Sequence, residues 1–70
     1  MQTNSSAPSP QRLLRLPEVE TIVGLKKSAI YQAVREGRFP APIKLSRRAV
    51  CWNSHSIDAW VIARIEGGAQ

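Results

Sequence analysis

The sequence predicts a mainly helical fold with a small β-hairpin, in which two short helices meet at a tight turn and the hairpin stands beside the second as a wing. Three observations predict it. Two apolar stripes at helical spacing each stop at a glycine, Gly24 and Gly37. A proline-rich break, Phe39-Pro40-Ala41-Pro42, precedes two alternating runs. A third helical stripe, Ile57, Trp60, Val61 and Ile65, closes the chain.

Leu13-Leu14-Arg15-Leu16 is a short apolar lead-in suited to a strand and stopped by Pro17. Pro17 at a first helical position, with Glu18 and Glu20 near the positive end of the dipole, starts a helix predicted over 17–23. Val19, Ile22 and Val23 form its buried stripe, and Gly24 provides a left-handed cap. Leu25 restarts the apolar pattern, and Ile30, Ala33 and Val34 share one face of a helix predicted over 27–36. Two such short helices, separated by a glycine-containing turn, must cross steeply to share a core, which is the helix-turn-helix arrangement.

Ile43-Lys44-Leu45 and Val50-Cys51-Trp52 alternate on either side of Ser46-Arg47-Arg48-Ala49, a hairpin with a basic tip. Asn53 or Ser54 caps the last helix, with Asp58 near its first turn. Trp52 and Trp60, in phase with apolar neighbours, are expected in the core, and Tyr31 is the aromatic expected outside. Cys51 reads as a half-buried strand residue without a redox task, and His55 as a surface or capping residue.

Size and composition bound the function. At 70 residues the chain makes one small domain, able to bury only roughly 60% of its unfolded surface. One His, one Cys and five acidic residues offer no pair at ligand or relay spacing, so neither an enzyme nor a metal or cofactor site is expected. A lone Cys51 cannot close an intrachain disulfide, which points to the reducing cytoplasm. The longest apolar run, Ala59 to Ala63, is five residues, far short of the 18 or so that a membrane span needs. The polar, proline-containing start fits no targeting segment. Residues 1–11 read as a disordered tail, 12–66 as the folded unit and 67–70 as a frayed end.

The formal charge of +5 is concentrated rather than spread. Residues 1–25 balance Arg12 and Arg15 against Glu18 and Glu20, and residues 49–70 hold Arg64 against Asp58 and Glu66. Between them, Lys26, Lys27, Arg35, Arg38, Lys44, Arg47 and Arg48 face only Glu36. Such a block is the footprint of a polyanion-binding surface.

With Ile30, Ala33 and Val34 facing inward, the second helix leaves Lys27, Ser28, Tyr31, Gln32 and Arg35 outward. These side chains suit DNA: Arg and Lys donate to guanine, Gln pairs with adenine, and Ser or Tyr reaches phosphates or base edges. Lys26 and Lys27 occupy a helix start, where the dipole disfavours cations, and a local rule broken without compensation marks a functional site. Arg47 and Arg48 at the hairpin tip, Lys44 on its first strand and Arg38 after the second helix extend the positive surface. Two adjacent arginines can grip a phosphate backbone or enter a minor groove.

In order along the chain, Leu14-Arg15-Leu16-Pro17-Glu18-Val19, Gly24-Leu25, Ser28-x-Ile30-Tyr31, Glu36-Gly37-Arg38-Phe39-Pro40-x-Pro42, Arg48-Ala49-Val50-x-Trp52 and Asp58-Ala59-Trp60 resemble the AlpA-type phage regulators over about residues 13–65. The resemblance implies a winged helix-turn-helix of the MerR-like and excisionase-like kind, a sequence-specific regulator acting on double-stranded DNA of a prophage or mobile element. It makes Lys27, Ser28, Tyr31, Gln32 and Arg35 the major-groove readers and Arg47 and Arg48 the wing contacts. Lys26 departs from the capping Ser often found in the family, and Cys51 from a common Gly. No heptad repeat follows the third helix, so the chain is expected to be a monomer in solution. One module covers only roughly 600 to 1,000 Å² of protein surface on DNA, which favours several copies on tandem sites. Two other readings use the same residues: an architectural factor that bends DNA and contacts an integrase, and an adaptor whose basic face docks an acidic protein.

Overall fold

The computed structural model describes residues 10–67. The tail expected at the start lies outside the described residues up to residue 9, and the expected frayed end lies outside them from residue 68. The elements follow in the order β1 (Leu13–Leu14), α1 (Leu16–Val23), α2 (Lys27–Arg35), β2 (Ile43–Lys44), β3 (Val50–Asn53) and α3 (Ser54–Gly67). Three helices and a small sheet make the winged helix-turn-helix that the sequence predicts.

Both glycine stops are realised. Gly24 has φ 74° and Gly37 φ 76°, left-handed values at which a side chain would be strained. The amide of Gly24 donates to Glu20 O at 2.8 Å and closes α1, leaving a turn of three residues before α2. At the other end of α1 the carboxylate of Glu18 accepts the backbone N–H of Arg15 at 3.2 Å. The helix starts at Leu16, one residue earlier than predicted. Leu16, Val19 and Val23 pack on the core at i, i+3 and i+7, so Ile22 falls at the edge and is exposed rather than buried.

The sheet has strand order β1-β3-β2, antiparallel throughout. Hairpin pairing sets Ile43 opposite Cys51 and Lys44 opposite Val50, with Ser46–Ala49 as the turn. The lead-in strand forms the other edge, setting Leu13 opposite Asn53 and Leu14 opposite Trp52. Arg12 and Ser54 extend this edge: the Ser54 amide donates to Arg12 O and the Arg12 amide to Ser54 Oγ, both at 2.8 Å. Gln11, placed by composition in the tail, accepts a hydrogen bond from Asn53 Nδ2 at 2.7 Å. Gly67, placed in the frayed end, is the last residue of α3.

Leu14, Val19, Ile30, Ala33, Phe39, Trp52 and Ile57 form the buried core. Phe39 stands edge-on to both indoles, its centroid 6.5 Å from that of Trp52 and 5.0 Å from that of Trp60. Trp52 Nε1 donates to Pro40 O and Trp60 Nε1 to Arg38 O, each at 2.9 Å, so two indoles hold the loop that turns the chain from α2 into the hairpin. Trp52 is fully buried, but Trp60 is only half-buried and carries Arg64 over its ring at 4.7 Å. Cys51, on the opposite face of the central strand from Trp52 by alternation, is fully buried rather than half-buried as expected.

Asn53 caps α3, its Oδ1 accepting the amides of His55 at 2.8 Å and Ser56 at 3.2 Å. Asp58 stands beyond the first turn. The inward face of α3 is Ile57, Trp60 and Val61, whereas Ile65 is 71% exposed. The helix spans about 21 Å at 1.5 Å per residue and outruns the small body it packs on, leaving residues 62–67 exposed.

Candidate nucleic-acid interface

The amphipathicity of α2 sets which side chains it shows. Ile30 and Ala33 are buried, and Lys27, Ser28, Gln32 and Arg35 stand outward in solvent. Lys26 is the N-cap, in extended conformation with no side-chain cap bond, and no acid occupies the first turn. The exposed amides at this helix start, the positive pole of the dipole and two lysines therefore coincide, a combination that favours an anion.

Lys26, Lys27, Ser28, Tyr31 and Arg35 line one cleft of about 500 Å³ together with Glu20. A second cleft, about 480 Å³, lies on the other side of Lys27 and Tyr31 and is bounded by Arg15 and by Arg48 of the hairpin. Tyr31 lines both. It is half-buried rather than outside, because its ring lies edge-on to Trp52 with centroids 6.0 Å apart. That contact fixes the direction of the phenol.

Of the predicted residues, the structure thus brings together Lys26, Lys27, Ser28, Tyr31, Arg35 and Arg48. Lys44 on β2 and Arg47 at the tip are exposed along the hairpin and line neither cleft. Arg38 stands apart. It lies against Trp60, Ala63 and Arg64, and its guanidinium is ion-paired with Glu36, whose carboxylate it also meets through Nε at 2.8 Å. Gln32 Nε2 donates to the same carboxylate at 3.1 Å, so this predicted reader is engaged locally.

Sequence reasoning missed Arg15. Its charge was hidden in a segment whose charges cancel, yet the cancellation is not uniform in space. Glu18 spends one oxygen on the Arg15 backbone and lies 3.8 Å from Arg12 through the other. Among the described residues no carboxylate comes within ion-pairing distance of Arg15, Lys26, Lys27, Arg35, Arg47 or Arg48.

The hydrogen bonds from Arg38 and then Gln32 hold the Glu36 carboxyl below its ordinary value of 4.5, with the Arg38 charge adding to the effect. A lowered carboxyl stabilises the fold above its unfolded value, and this contribution fades as pH falls through the lower folded value. Side-chain NMR titration is expected to give a Glu36 midpoint below 4.5 that rises in Arg38→Ala. An unchanged midpoint in that variant would remove Arg38 as the cause.

Among the described residues, no three His, Cys, Asp or Glu side chains gather into a metal-holding group. No helix of these residues is long and apolar enough to cross a membrane.

Residues 12–65 match the family described as Prophage CP4-57 regulatory protein (AlpA). The chain is also similar to an uncharacterized protein, ORF88, of Enterobacteria phage P4: 36% identical over an 81-residue alignment covering 96% of this chain and 92% of the phage protein. No solved structure matches it.

Proposed function

Because this chain belongs to the AlpA family of prophage regulatory proteins, we propose that it is a sequence-specific, double-stranded DNA-binding regulator that sets α2 in the major groove and the β2–β3 hairpin against the adjacent backbone. The observation that carries this reading is the outward face of α2. Lys27 and Arg35 on that face, and Lys26 at its N-cap, have no ion-paired carboxylate among the described residues, and they line one cleft with Ser28, Tyr31 and Glu20. A helix presenting donors of this kind fits the major groove, where Arg, Lys and Ser can meet base edges. Arg47 and Arg48 at the hairpin turn, which make no ion pair among the described residues, supply backbone contacts that hold the helix in register. Several copies on neighbouring sites would enlarge the small footprint of one module.

The test is a fluorescence-anisotropy titration of duplex from the chain's own genomic neighbourhood against a scrambled duplex at two salt concentrations. Tight binding to the first, weakening with salt, is expected. Equal weak binding to both would leave only a basic domain and refute the reading.

The uncapped start of α2 provides a second check. Lys26→Ser installs the missing capping oxygen and is expected to raise the unfolding free energy by about 1 kcal/mol in urea denaturation. The same variant loses a cation beside the groove and is expected to bind duplex more weakly. A variant neither stabilised nor weakened would show that Lys26 serves neither role.

A further inference from the structure

Resting on the DNA-binding reading above, we infer that the cleft bounded by Arg15, Lys27, Tyr31 and Arg48 is a clamp for a single backbone phosphate of the bound duplex. The cleft has a volume of about 480 Å³, and its three cations come from three separate places in the fold: the N-cap of α1, the first residue of α2 and the turn of the hairpin. None has a carboxylate partner among the described residues. Glu18, the acid nearest in sequence to Arg15, is committed to a backbone amide and to Arg12. Leu16, Pro17 and Val50 supply apolar walls. One sign of charge between low-dielectric walls focuses the field on an incoming anion.

Three like charges gathered without a counter-ion oppose folding, and an anion of concentrated charge offsets that cost. A phosphodiester suits the place as well as the charge. Lys27 and Tyr31 also line the cleft that holds Ser28 and Arg35, so the two clefts adjoin on the α2 surface. The Trp52 edge contact holds the Tyr31 phenol at the boundary, where its hydroxyl can donate to a phosphate oxygen. The assignment changes two roles: Arg15 becomes a DNA contact, and Lys27 becomes a positioning contact rather than a base reader.

A clamp has a signature that separate contacts lack. The slope of log K against log salt counts phosphates neutralised, at about 0.9 per phosphate, not cations present. The slope is therefore measured by anisotropy for the wild type, for Arg15→Ala, Lys27→Ala and Arg48→Ala, and for the triple variant. All three residues are exposed, and circular-dichroism melts check that the variants fold. The triple variant is expected to lose about 0.9 in slope, and each single substitution to cost much of what the triple costs. A loss near 2.7, the value for three separate phosphates, would overturn the clamp, as would Arg15→Ala binding like the wild type.

Inorganic phosphate, titrated into isotope-labelled protein without DNA, distinguishes the source of the anion. Only weak, unsaturating shifts are expected, and saturable millimolar binding abolished by Arg15→Ala would assign the cleft to a free anion instead. A wild type with no salt-dependent duplex binding would defeat the DNA-binding reading itself. A wild type that binds steeply while its variants match it would defeat the clamp alone.

Discussion

Trp52→Ala is expected to leave most of the chain unfolded at 25 °C. The indole is fully buried at the centre of the sheet, edge-on to Tyr31 and Phe39, and its Nε1 holds Pro40 O at 2.9 Å. Removing a buried aromatic costs roughly 3 to 5 kcal/mol, and the part-buried Pro40 carbonyl loses its donor. A domain of this size holds about 3 to 9 kcal/mol at the usual 0.05–0.15 kcal/mol per residue, so the loss consumes most or all of it. Trp60→Ala is the contrasting case. That ring is half-buried, and although it braces Phe39 and Arg38 O, solvent can replace part of what it supplies. Far-UV circular dichroism with urea denaturation should find Trp60→Ala folded but weakened. A cooperative, near-wild-type transition in Trp52→Ala would contradict the core described above.

The second large effect is expected at Arg35. It occupies the last turn of α2, exposed and without an ion pair among the described residues, in the cleft with Glu20, Lys26, Lys27 and Ser28. Loss of a bidentate base contact costs roughly 1 to 3 kcal/mol, so Arg35→Ala should narrow the ratio of specific to scrambled binding by about 5- to 150-fold. Arg47→Ala should weaken both duplexes alike, the mark of a phosphate contact. Gln32→Ala should do less than Arg35→Ala, because the Gln32 amide is already held by Glu36. Equal losses on both duplexes from Arg35→Ala and Arg47→Ala would remove the division between reader and wing.

Much of the fold was legible because local chemistry decides it. Gly24 and Gly37 stop two helices where only left-handed backbone turns the chain, Pro40 and Pro42 bar a third helix from starting early, and Asn53 starts α3 with its own oxygen. The misread positions depend on partners distant in sequence. Ile22 fits the stripe of α1, but the face that meets the core is the one carrying Leu16, Val19 and Val23, and Ile65 fits the stripe of α3 until the body ends short of it. Tyr31 reads as exposed from its helix alone, since the Trp52 edge that half-buries it lies 21 residues away in sequence.

The site was legible in the same degree. Counting charge along the chain found the basic block, and the face of α2 follows from helical spacing. Counting could not separate Arg38, which Glu36 engages, from Arg35, which makes no ion pair among the described residues. It also missed Arg15, whose apparent partner Glu18 is bound elsewhere. Net charge is a sum over a segment, whereas recognition depends on which charges remain uncompensated on one face.

The most direct test of the central claim is an NMR titration of isotope-labelled protein with duplex from its genomic neighbourhood, following each backbone amide. The amides of α2 from Lys27 to Arg35 and those of the hairpin turn from Ser46 to Ala49 are expected to shift together, with those of α3 beyond Ile62 unmoved. Shifts concentrated on the exposed end of α3, with α2 and the hairpin turn unchanged, would contradict the account.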